Sequence, residues 1–243
     1  MNELSFYWLI LIAAVAFLYA SVGHGGASGY LALMAIMGIS PDFAKPSALV
    51  MNIIVSGIAF LFFVRSGYFR SGIFIPLAIG SVPLAFIGTM IPVHDAIYKI
   101  ILGICLLIAV SRILLTQSET IRKDPPHISV LILIGAVTGI LSGMIGIGGG
   151  IIISPLLILA GWASIKESAG IASLFIFVNS ISGVSGLMMN GYSPEPQLAL
   201  MTTFATAGAI AGALSGSRLM RSSVIRAVLG IVLGIAGLKL ILT

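Results

Sequence analysis

Two glycine-rich turns carry the residues in this chain best suited to chemistry. Gly23-His24-Gly25-Gly26 and Gly146-Ile147-Gly148-Gly149-Gly150 each open a short apolar run. Without a Cβ the backbone bends tightly and can bring several N–H groups to one point. The first N–H groups of a helix lack internal partners and lie at the positive end of its dipole, so each turn reads as an anion cradle at a helix start. His24 is the one side chain that titrates near neutral pH in the charge-free run 4–41. It would help hold an anion or pass a proton, or else be satisfied by a backbone carbonyl. Its counterpart is Ile147, so symmetry between the turns does not require it.

Polar residues on the middle segments, Asn52, Ser56, Asn179, Ser180, Ser182, Thr202, Thr203 and Thr206, could line a path for an oxyanion or simply bond helix to helix. Of these, Asn52 and Asn179 are taken as site residues. Lys45 and Lys166 follow the short runs and would either gather anions at two mouths or anchor the chain at an interface. No Asp or Glu lies deep in an apolar run, so a carboxylate proton relay is missing. No metal or cofactor is implied. Gly183-Val184-Ser185-Gly186 resembles the nucleophile motif of rhomboid proteases, but the last histidine, His127, precedes Ser185 where the rhomboid order needs it afterwards. An intramembrane serine hydrolase is therefore the weak alternative, and enzyme activity is not expected.

The elements that must hold the turns follow from composition. Of 243 residues, 59% are hydrophobic, mean hydropathy is +1.20, and the charged side chains are 12 Lys or Arg and 7 Asp or Glu. Eight charge-free stretches of twelve or more residues cover 195 positions. A spanning helix needs about 20 mostly apolar residues, so the chain reads as an all-α polytopic membrane protein. The runs are continuous and do not alternate, which excludes a β-barrel. The net charge of +5 is spread over loops, not gathered in a stripe, so no nucleic-acid partner is indicated; the lipid bilayer and a small anion are. A homo-oligomer is compatible with these residues. The lone Cys105 excludes an internal disulfide and reads as a small buried hydrophobe. Met1 to Trp8 carries Glu3 and no cation, unlike a cleaved signal peptide.

The second half repeats the first at an offset of about 123 to 127 residues. Val22-Gly23-His24-Gly25-Gly26 falls on Ile145-Gly146-Ile147-Gly148-Gly149, Gly38 on Gly161, and Gly67-Tyr68 on Gly191-Tyr192. Tyr98-Lys99 through Gly103-Ile104 falls on Ile225-Arg226 through Gly230-Ile231. This divides the chain into a first repeat, 1–118, a cytoplasmic link, 119–127, and a second repeat, 128–243. Each repeat reads as five helical segments: 6–22, 26–38, 46–64, 71–92 and 96–115, then 128–145, 150–161, 168–190, 196–216 and 222–242. The second of each five is too short to span. Arg112, Arg122 and Lys123 place the link inside by the positive-inside rule, and counting helices puts Arg65, Arg70, Lys166, Arg218, Arg221 and Arg226 on the same side. Equivalent loops then face opposite ways. The expectation is an inverted repeat with both termini outside and the glycine turns meeting near mid-thickness. Parallel halves, with each short segment re-entrant beside a full-length first helix, would leave the charge pattern unexplained. Gly135, Gly139 and Gly143, and likewise Gly208, Gly212 and Gly216, form stripes for close helix approach, while Pro76, Pro83 and Pro155 should kink or start helices.

Gly146-Ile147-Gly148-Gly149-Gly150-Ile151-Ile152-Ile153-Ser154-Pro155-Leu156-Leu157 resembles the signature of the TauE/SafE sulfite exporter family. Its echo in the first half and the closing Ser217-Arg218-Leu219 to Leu229-Gly230 stretch add to the resemblance, which spans nearly the whole chain. It implies a carrier in the bacterial inner (cytoplasmic) membrane that exports sulfite, thiosulfate or organosulfonates. Site roles carry over to the two glycine turns and Pro155. The first half departs from the pattern, with Ala32 opposite Pro155 and His24 in place of an apolar residue. A passive anion channel on the same broken helices is the other reading.

Overall fold

The computed structural model describes residues 3–94, 96–97, 100, 103–104, 107, 110–111, 123–218, 234 and 238. Of the expected segment 96–115 only 96–97, 100, 103–104, 107 and 110–111 are described, all helical, and of 222–242 only 234 and 238. Cys105, Arg112, Arg122, Arg221, Arg226, most of the motif after Tyr98, the whole of its partner after Ile225, and the closing stretch from Leu219 to Gly230 lie outside the described residues. Among the described residues the chain is helical with no strand: α1 (Glu3–Ser21), α2 (Ala27–Ile36), α3 (Pro41–Arg65), α4 (Ser71–Met90), α5 (Ile128–Ile145), α6 (Gly150–Leu159), α7 (Ile165–Met189) and α8 (Pro196–Arg218). Five of them, α3, α4, α5, α7 and α8, are long and apolar enough to cross a membrane.

Besides α1, which begins at Glu3 and not at residue 6, two helix starts differ from the charge-run reading. α3 begins at Pro41, not residue 46, and α7 at Ile165, not residue 168. Both take charged residues into their first turns because local start signals outweigh the charge: Ser40 precedes a Pro at N1, and Ser164 forms a capping box with Glu167. In that box the Glu167 amide donates to Ser164 Oγ at 3.2 Å, and the Ser164 amide donates to Glu167 Oε2 at 2.8 Å. Ser164→Ala is expected to lower stability by about 1 kcal/mol while leaving the fold intact. Thermal unfolding of the purified protein checks this, with unchanged unfolding the contrary result.

α3 and α7 form the buried centre. Gly57 of α3 lies against the Phe177 ring, Gly183 of α7 against Leu49, and Gly170 against Phe63, so one helix's numbering rises as the other's falls. These two 25-residue helices hold the same place in each half's order and run antiparallel. Around them, each half's fourth helix packs along the other half's first. On α5, Gly135, Gly139 and Gly143 abut the carbonyls of Leu77, Ser81 and Ala85 on α4. On α8, Gly208, Gly212 and Gly216 abut those of Ala13, Phe17 and Ser21 on α1. Both pairs are parallel, and a Cβ at any of these glycines would fall on the facing carbonyl. α2 rests on α3 as α6 rests on α7. The outer faces of the fourth and first helices expose Ile75, Ile79, Leu133, Val137, Ile210 and Leu214, an apolar exterior over a core that holds the buried polar groups Asn52, Ser56, Asn179 and Ser180.

Pro76 and Pro83 lie inside α4, and Pro155 lies inside α6. α2 and α6 are each 10 residues, shorter still than expected, about 15 Å of helix.

Candidate functional site at the paired glycine turns

Each turn is made by glycines in left-handed backbone conformations that other residues rarely adopt: Gly23 and Gly26 with φ of 76° and 93°, and Gly146, Gly148 and Gly149 with φ of 85°, 71° and 76°. Gly26 and Gly149 are the N-caps of α2 and α6, and neither helix has a side-chain cap of its own. The turns converge on the middle of the α3–α7 pair. Gly25 lies against both Asn52 and Ile176, and Gly148 lies against the same two residues. Each of these is the twelfth residue of its 25-residue helix, about 17 Å from the start. Contacts across the halves frame the meeting point, with Gly23 against Ala169 of α7 and Gly146 against the Lys45 stem on α3.

Asn52 is buried between the turns, and its Oδ1 accepts the Ala27 N–H at 2.9 Å, closing the start of α2 from a helix 25 residues away. Its amide nitrogen is buried and has no partner. Asn179 differs. Its Nδ2 donates to the Phe175 carbonyl at 2.9 Å on its own helix, and Oδ1 is the unpartnered atom. The two asparagines are not equivalent positions: an offset of 124 residues, which pairs Gly67 with Gly191, places Ile176 opposite Asn52 and Val55 opposite Asn179.

His24 joins the halves. Its Nδ1 lies 3.1 Å from the Val22 carbonyl and its Nε2 lies 3.2 Å from Ser154 Oγ on α6, so both ring nitrogens have partners. The Ser154 carbonyl in turn accepts from Ser168 Oγ at 3.1 Å. Tyr19 packs edge-on to His24 with centroids 6.5 Å apart and accepts a hydrogen bond from Ser28 Oγ at 2.9 Å. The Tyr30 hydroxyl is buried beside Gly26 without a partner, as is Ser142 Oγ near Gly149. Tyr19, Ser28, Tyr30, Ser142 and Ser154 were not singled out from sequence. An aromatic hydroxyl within a charge-free run next to a glycine turn was the available signal.

Other expected path residues are occupied. Ser56, Thr202, Thr203 and Thr206 each donate to the carbonyl four residues back, and Ser182 Oγ donates to Val82 on α4 at 2.5 Å. Ser185 is exposed on α7 with its hydroxyl on the Ile181 carbonyl, and no histidine accompanies it among the described contacts. Lys166 donates to the Tyr68 hydroxyl at 3.4 Å, with its nitrogen 4.9 Å from the ring centroid. Pro155 sits five positions past Gly150 and supplies no amide hydrogen to the Ile151 carbonyl. Gly150 packs on Ile176.

A family model described as "Sulfite exporter TauE/SafE" matches residues 8–240. A protein of Sinorhizobium fredii described as a probable membrane transporter is 32% identical over 96% of this chain and 96% of its own length. Another so described, from Methanocaldococcus jannaschii, is 30% identical over 62% of this chain and 59% of its own. No solved structure matches. With the match extending from α1 past α8 and taking in both glycine turns, the chain belongs to the TauE/SafE sulfite exporter family of membrane transporters.

Proposed function

We propose that the protein exports a small sulfur-containing anion, sulfite, thiosulfate or an organosulfonate, across the cytoplasmic membrane, holding it where the two glycine turns meet. The observation that carries this reading is the convergence of both turns on Asn52 and Ile176 at mid-helix, because non-helical backbone at membrane depth is tolerated only inside protein or along a cavity. Bare amides at helix starts and an unpartnered asparagine nitrogen there are donors suited to an anion.

The orientation is part of the same proposal. Arg70 Nη1 donates to the Trp162 carbonyl at 2.6 Å, the Lys123 amide donates to Gly161 at 2.8 Å, and Lys166 reaches Tyr68, so these cations gather at one end of the bundle. That end is assigned to the cytoplasm. The antiparallel α3 and α7 support an inverted pair of repeats, 1–118 and 128–243 with 119–127 between them, and the proposal has both termini outside.

With no acidic residue buried among the described residues, the driving force assigned to export is the membrane potential. An inside-negative potential pushes each negative charge outward by about 2.3 kcal/mol per 100 mV, a ratio of roughly fortyfold at equilibrium. Efflux of labelled sulfite, thiosulfate and a simple sulfonate from proteoliposomes is therefore expected to accelerate as the interior is clamped negative. Efflux indifferent to the clamp contradicts electrogenic export. Accelerated exchange against unlabelled anion on the far side separates a carrier from a passive channel on the same helices.

A further inference from the structure

The two turns match in sequence, but their amides are not equally free. At the first turn the Val22, Gly23 and His24 amides donate to carbonyls of α1 and the Ala27 amide donates to Asn52 Oδ1, while those of Gly25, Gly26, Ser28 and Gly29 meet no acceptor among the described residues. A carboxamide oxygen therefore already lies at the start of α2, where an anion would sit. At the second turn the Gly146 amide donates to Ser142, while those of Ile147, Gly148, Gly149, Gly150 and Ile151 meet no acceptor among the described residues.

Asn52 has one possible orientation in this arrangement. Its oxygen must face the Ala27 donor, so its NH2 group faces the other way. There Nδ2 lies 2.8 Å from the position a Cβ would take at Gly148, and Ser180 Oγ lies 3.2 Å from the same point. Both atoms are buried and unpartnered. Ser56, the counterpart of Ser180 in the first repeat, instead donates to the Asn52 carbonyl at 2.5 Å. Two unused side-chain donors and a run of unused amides thus meet at one helix start, and buried donors of this kind are ordinarily matched by an acceptor.

We infer that the substrate site is single and off the axis between the halves: the anion sits at the start of α6, ligated by Asn52 Nδ2 and Ser180 Oγ, while Asn52 Oδ1 closes the start of α2 as a permanent substitute for it. This rests on the transport reading and assigns Ser180 a ligand role. The ligand class is a small, fully ionised oxyanion or sulfonate head group with several acceptor oxygens, because the donors here ask for bare oxygens.

The test uses the full chain in proteoliposomes with labelled thiosulfate as the probe. Ser180→Ala is expected to raise KM about tenfold or more, with protein yield and maximal rate little changed, since it removes a hydrogen bond to a charged ligand. Ser56→Ala, losing the same hydroxyl on the opposite repeat, is expected to leave KM within about twofold. Asn52→Asp keeps the oxygen that caps α2 but replaces the donor with a negative oxygen, and should raise KM further than Ser180→Ala. A wild-type KM in Ser180→Ala, or equal increases in Ser180→Ala and Ser56→Ala, overturns the off-axis site while leaving the transport reading standing. Wild-type vesicles that move none of thiosulfate, sulfite or a sulfonate overturn both.

Discussion

Gly148→Ala is expected to reduce transport about a hundredfold, the scale of roughly 3 kcal/mol. Two costs add at this residue. Its φ of 71° is left-handed, which strains any side-chain-bearing residue by about 1–2 kcal/mol. The new methyl would also stand 2.8 Å from Asn52 Nδ2 and Ile176 Cγ2, and neither can withdraw because both are locked in the α3–α7 core. Gly191→Ala separates the two costs. Gly191 has a φ of 88° with nothing within 4 Å of the added methyl, so it takes the strain without the obstruction. Uptake by Gly191→Ala is expected within about threefold of wild type, consistent with strain alone. Equal uptake by the two variants would mean that Gly148 serves the turn's shape and not the meeting point.

The largest effect on stability is expected at the α4–α5 seam. A Cβ at Gly139 falls on the Ser81 carbonyl, so Gly139→Leu must drive two backbones apart along a contact that Gly135 and Gly143 share. The loss should reach about 3 kcal/mol, the upper range for overpacking. It should appear as a lower unfolding temperature or failure to accumulate in the membrane. Gly72→Leu, at a position in α4 with open space around it, is expected to be neutral. Comparable unfolding of the two variants would show that the close approach contributes little.

Much of this was legible because hydrophobicity and glycine act locally. Charge-free length specified the spanning helices, and the glycine turns specified where helices break. The starts of α3 and α7 were misplaced because charge was read as the boundary, whereas Ser40-Pro41 and Ser164 through Glu167 are local start signals able to carry Asp42, Lys45 and Lys166 into a helix. The site itself was less legible. Asn52 capping Ala27 and His24 reaching Ser154 join residues 25 and 130 positions apart, and nothing in either neighbourhood encodes the partner. At the first turn the Ala27 amide is met by Asn52, which has no polar counterpart in α7, where Ile176 takes its place.

The two helix seams close at very different times during synthesis. Leu77, Ser81 and Ala85 meet glycines 58 residues later, so α4 and α5 can zip together while the ribosome is still making the second half. Ala13, Phe17 and Ser21 wait for glycines 195 residues downstream. Until then α1 must rest in lipid with its carbonyl ridge unmatched, and the long loop that α8 closes is entropically the slower step. The helix that leads into the His24 turn is thus among the first made and the last secured. A nascent chain stalled before Gly208 would already hold α4 against α5 and yet leave α1 without its partner.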